Sequence, residues 1–205
     1  MGSRGTWLTV VTAAALAASS MAASACGSSA RANRHSTVTV SISVSGRVGP
    51  LRVDESRRAA VVAFAGRPDA EQVGRSGGSE RYDALGYNCG AGARPQAIPL
   101  VKRRPRCRTV FFVEARSGRF GLFYTADAHY VEAHGVRVGM PTRTAERLLG
   151  RRLHVGCGPN IFLRSPRALL TVGFNGRAAN LENGGHVTEL VLHGLHHNPG
   201  VFECM

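Results

Sequence analysis

The chain has 205 residues, enough for one domain or two small ones, and its 43% hydrophobic content leaves a core to bury. Lys and Arg number 26 against 13 Asp and Glu, a formal net charge of +13, so the partners it attracts are anionic: nucleic acid, lipid head groups or acidic proteins. The acids are scarce and no pair of carboxylates suggests acid–base work, which argues against carboxylate catalysis.

Residues 1–25 read as a signal peptide: a basic start at Arg4, an apolar run from Trp7 to Ala18, and small residues leading to Cys26. The run is too short and alanine-rich for a membrane span. "ASA" at 23–25 satisfies a small-x-small cleavage rule and resembles the bacterial lipobox, although Ala23 stands where leucine is usual. The expectation is export, with Cys26 lipidated and the protein held at the membrane; plain secretion is the alternative. "MGSRGT" fits a myristoylation pattern, which the secretory signal behind it makes irrelevant.

The five cysteines are Cys26, Cys89, Cys107, Cys157 and Cys204. With Cys26 carrying lipid, four remain for two disulfides in an oxidising compartment. Three pairings are open; the internal repeat described below favours Cys89 with Cys107 and Cys157 with Cys204. No cysteine spacing suits zinc. The densest basic cluster is "VKRRPRCR" at 101–108, so Lys102, Arg103, Arg104 and Arg106 are the candidates for an anionic partner. Export makes lipid or wall polymer better candidates than nucleic acid.

Residues 26–36 are small and polar, as a tether would be. "TVTVSISVS" at 37–45 alternates strictly and predicts a half-buried strand. A helix is expected next, capped by Ser56, with Ala60, Val61, Phe64 and Ala65 as its apolar face and Gly66 as its end. A polar glycine-rich loop then leads to "RYDALGYNC", and a second loop to two apolar runs flanking Ser117-Gly118, a hairpin signal. Pro141 opens a second short helix with Ala145, Leu148 and Leu149 as its face and Gly150 as its end. "RALLTVGFNGR", "HVTELVLHG" and "GVFEC" follow as strands.

The two helical stretches, Leu51 to Gly66 and Val136 to Gly150, read alike, and each precedes strands. The expected fold is therefore α+β: two tandem subdomains, 37–131 and 132–205, each with short helices packed on one face of an antiparallel sheet. Val136, Val138, Gly139 and Met140, followed by a short helix and a closing glycine, resemble the repeat of the β-lactamase inhibitory protein. They are also similar to the small outer-membrane assembly lipoproteins that share its fold. In the first copy Asp54-Glu55 replace Gly-Met. The chain also resembles uncharacterised exported actinobacterial proteins. The inhibitor has two such repeats, each with its own disulfide, and binds its enzyme on an aromatic-rich sheet; no inhibitory loop residue can be matched to a position here.

Motifs with catalytic overtones fall away on context. "GRSGG" at 74–78 fits G-x-S-x-G around Ser76, but it sits in a polar stretch without the strand-to-helix turn such a nucleophile needs. His193, His196 and His197 lie close together with no carboxylate or cysteine to complete a metal shell, and the other histidines are scattered. No enzyme, cofactor or metal is expected. The expected function is that of an extracytoplasmic protein-binding or scaffold module; the alternatives are a secreted enzyme inhibitor and an electrostatic binder of anionic lipid or wall polymer.

Overall fold

"CRTVFFVE", "FGLFYT" and "ALLTVGF" are apolar almost without interruption, the pattern of strands buried on both faces rather than one. The computed structural model describes residues 39–75, 81–91, 107–155, 158–175 and 184–195, all within the second of the chain's two compact units, Ser36–Met205. There these runs become β6 (Cys107–Glu114), β7 (Phe120–Thr125) and β10 (Ala168–Phe174), three interior strands of a seven-stranded sheet. With β4 (Ala70–Arg75), β5 (Arg81–Cys89), β9 (Asn160–Arg164) and β11 (Val187–Gly194), its order is β4-β5-β6-β7-β11-β10-β9, antiparallel throughout. A smaller sheet, β3-β2-β1-β8, is built from β1 (Val40–Ser43), β2 (Arg47–Val48), β3 (Leu51–Arg52) and β8 (Tyr130–Glu132).

One face of the large sheet packs against everything else. Ile42, Val48, Leu51 and Val53 around the small sheet, Val61 of α1 (Arg58–Ala65) and Ala145 of α2 (Thr142–Leu149) join Leu85, Phe111, Phe123, Val172 and Leu190 in one core. Phe111 is its hub, its ring 5.6 Å from Tyr87, 5.6 Å from Phe120 and 4.9 Å from Phe123. The other face carries its own cluster, Tyr82, Ala84, Val110, Phe112, Leu122, Tyr124 and Val191, all from strands of the same sheet.

The α+β expectation holds in its coarse form, and the balance lies with strands: among the described residues only α1 and α2 are complete helices. Strands from both halves share one sheet, because β7 pairs with β11, while β1 pairs in parallel with β8. The alternating run 37–45 contributes β1, with Ile42 fully buried, and the hairpin forms around Ser117-Gly118.

Several local expectations are corrected. Ser56 does not cap α1; Arg57 stands there without a side-chain cap, and the Ser56 hydroxyl instead accepts the Arg52 N–H at 2.9 Å, closing the preceding turn. Ala60 is exposed and Val62 is among the residues packed on the core in its place. In α2 Pro141 is the N-cap, not part of the first turn, and Leu148 is 38% exposed while Leu149 packs inward. The polar stretch from Ala70 is not a loop but β4, and "NIFLR" forms β9, which the sequence reading had not assigned. The final expected strand, 200–204, lies outside the described residues.

Candidate functional site

Lys102, Arg103, Arg104 and Arg106 lie outside the described residues, but the segment that carries them is pinned at both ends. Cys89 ends β5, Cys107 begins β6, the two sit directly opposite one another, and a disulfide joins them across 18 positions of sequence. Cys26, Cys157 and Cys204 lie outside the described residues, as do Ser76, His196 and His197.

Beside this staple the sheet rim holds a network around Asp127, which is 5% exposed. Its carboxylate accepts the His129 N–H at 3.0 Å, is bonded to His129 Nδ1 at 2.7 Å, and accepts Asn88 Nδ2 at 3.0 Å. Burial by itself would raise the Asp127 pKa, but the His129 backbone and ring and the Asn88 amide outweigh it and hold the carboxyl below its ordinary value. Behind it the Thr109 and Thr125 hydroxyls share a 3.0 Å bond, and Thr125 also accepts the Asp127 N–H. Tyr130 follows; burial first, then the Asp127 charge, pushes its phenol well above the usual range.

The arrangement recurs at the other end of β8. Glu132 is 1% exposed, accepts the His134 N–H at 2.7 Å and is bonded to His134 Nδ1 at 2.9 Å. "DAHYVEAH" thus places two buried carboxylates, each holding the histidine two residues on, around β8, the strand that pairs in parallel with β1. The sequence reading treated these histidines as scattered; the signal was the repeated carboxylate-x-His spacing. Chemically both pairs lock turns. Further along the chain, His193 lies in β11, 7% exposed, with Nδ1 3.1 Å from the Gly194 carbonyl.

The context of Ser76 is now defined on both sides. It follows the edge strand β4, and antiparallel β5 begins at Arg81, so the segment connects strand to strand and not strand to helix. Among the described residues no group of three or more His, Cys, Asp or Glu is placed to hold a metal, and no helix is long and apolar enough to cross a membrane.

What the sheet does present is an edge. β4 closes the large sheet on one side, hydrogen-bonded to β5 alone among the described strands. Arg58 of α1 braces it through a 2.7 Å bond to Glu71, with Asp83 of β5 at 3.5 Å. Val73 stands on this strand 59% exposed, the most exposed large hydrophobic of the described residues. At the opposite edge, β9 is partly covered, since Asn160 and His154 exchange backbone hydrogen bonds of 2.9 and 2.8 Å.

No protein-family model matches the chain, and no curated protein matches it. Among solved structures it is similar to the uncharacterized protein yfeY from Escherichia coli, at 13% identity and a TM-score of 0.43, over 76% of this chain and 99% of that one.

Proposed function

We propose that the protein is an exported, non-catalytic binding module of the cell envelope, anchored through lipid on Cys26, which holds a protein partner on the open edge of its large sheet. The leader-like first 25 residues and the polar stretch 26–36 support the address. The observation that carries the binding reading is β4: among the described residues its outer row of backbone donors and acceptors has no strand beside it, and Val73 stands exposed there. Such an edge is a template for an added strand, and natural sheets usually blunt it with charge, a bulge or a covering loop. Here α1 braces the strand through the bond from Arg58 to Glu71.

The two halves read as tandem subdomains, 37–131 and 132–205, and the backbone supports that reading where the residues differ. Asp54 takes φ 64°, as Gly139 takes 88°, so the aspartate that replaces glycine in the first copy adopts the same left-handed turn. Gly66 and Gly150 then close the two eight-residue helices.

A second reading, an electrostatic binder of anionic lipid or wall polymer, is favoured by the charge of +13 and the basic segment held between Cys89 and Cys107. Affinity capture from detergent-solubilised envelope at low and high salt separates the two. A stoichiometric protein retained at high salt, together with an acylated Cys26, supports the module. Anionic lipid or polymer alone, lost at high salt as exposed charges are screened, supports the second reading. Turnover of any substrate that disappears in Ser76→Ala or His196→Ala contradicts both.

A further inference from the structure

The β4 edge carries a charge pattern that matches itself. The strand reads Ala70-Glu71-Gln72-Val73-Gly74-Arg75, an acid two residues before Val73 and a base two residues after it. We propose that the partner on this edge is a second copy of the chain, paired antiparallel through β4 about a two-fold axis at Val73. The proposal rests on the reading of β4 as a docking edge and names its occupant.

Charge and exposed apolar surface together select the register. Successive residues of a strand alternate between the faces of its sheet, so positions 71, 73 and 75 share one face. It is the face on which α1 lies: Arg58 donates to Glu71 at 2.7 Å and reaches Asp83 of β5 at 3.5 Å. When two β4 strands run antiparallel with Val73 opposite Val73, position 71 of each copy stands opposite position 75 of the other. The two-fold axis makes that Glu–Arg pairing twice. Val73, 59% exposed in the single chain, is then covered by its twin. A slip of two residues sets Val73 against Glu71 in one direction and against Arg75 in the other, so either slip loses the apolar pair and opposes a charge to it.

The ladder within one chain adds a second reason. Its register sets Arg75 directly across from Arg81, and like charges facing each other weaken a strand pair. A second copy brings a carboxylate to the other side of position 75 and offsets that repulsion. Charges on an edge strand commonly keep other strands away. Of one sign they would repel a second copy; of opposite sign, spaced equally about Val73, they favour it. The formal net charge of +13 drives copies apart at long range, so association depends on this local match. A contact of this kind is isologous: it uses the β4 edge of both copies and stops at two. Strands of six residues make a small interface, so the expected dimer is reversible.

The test co-expresses two differently tagged copies of the full chain and measures how much of one co-purifies with the other in mild detergent. Unaltered copies should co-purify. Glu71→Arg paired with itself sets Arg against Arg, Arg75→Glu paired with itself sets Glu against Glu, and each should lower the recovery about tenfold. Glu71→Arg paired with Arg75→Glu restores opposite charges at both contacts and should recover the unaltered level. That recovery also shows that both variants fold, and a merely structural role for either residue would not produce it. No co-purification of unaltered copies, equal recovery from all four pairings, or no recovery in the mixed pair would overturn the proposal. A photocrosslinker at position 73 separates it from the reading beneath it. A product of twice the chain's mass supports the second copy. A product with a different protein overturns the second copy and leaves β4 as a docking edge, and no product overturns both.

Discussion

At the scale of single residues, the fold depends on a few positions where geometry leaves no latitude. Gly46 takes φ +88°, and a side-chain carbon there would lie 2.8 Å from Val53 Cγ2, so Gly46→Ala should cost about 2 kcal/mol in chemical denaturation, combining backbone strain with overpacking. Phe111, fully buried among four aromatic rings, should cost about 3–5 kcal/mol as Phe111→Ala. The titrating groups set the pH window. Asp127 has a folded pKa below its ordinary 3.8, so its contribution is complete above that value and is lost as the pH falls through the lowered one. Tyr87 donates to the Gly66 carbonyl at 3.1 Å and is pushed from 10.0 up to about 12, by burial first and then by Glu71. Its neutral form belongs to the fold, so stability should decline between pH 10 and about 12. Denaturation midpoints across pH should therefore show a smaller acid slope in Asp127→Asn and a smaller alkaline slope in Tyr87→Phe, with Tyr130, also raised by burial, keeping part of the latter.

At the scale of elements, legibility followed hydrophobic pattern. β1 was readable from strict alternation, and the β6–β7 hairpin from two apolar runs around Ser117-Gly118. β4 was not: Glu71, Gln72 and Arg75 make it polar, and an edge strand with only one neighbour need not carry a core pattern. β9 is short and begins at Asn160, again at an edge. The Ser56 cap failed because the same hydroxyl that caps a helix also closes a turn, and the Arg52 N–H lay in reach. The acid–histidine pairs were hidden for another reason: a carboxylate two residues from a histidine means little until a strand buries the carboxylate. The disulfide is where spacing, repeat and structure agree, and it makes its own prediction. Reducing Cys89–Cys107, or replacing Cys107 by serine, should lower stability by roughly 3 kcal/mol, mainly by freeing the unfolded chain.

At the scale of the whole molecule, two similar helical stretches do not make two independent bodies. β7 from the first half and β11 from the second meet in mid-sheet, and β8 completes the small sheet begun by β1. Separating the halves would expose β7 and β11, whose residues are nearly all buried, as bare apolar edges. Among the described strands the paired architecture leaves β4 at one end as an edge with a single neighbour. The central claim is that a partner protein lies along β4, and site-specific photocrosslinking in intact cells addresses it directly. A crosslinker at position 73 should trap one protein species, absent when it is placed at the exposed Leu148 and reduced when Glu71→Pro removes the β4 backbone donor there. No crosslinked protein at position 73, or the same species from both positions, would contradict the account.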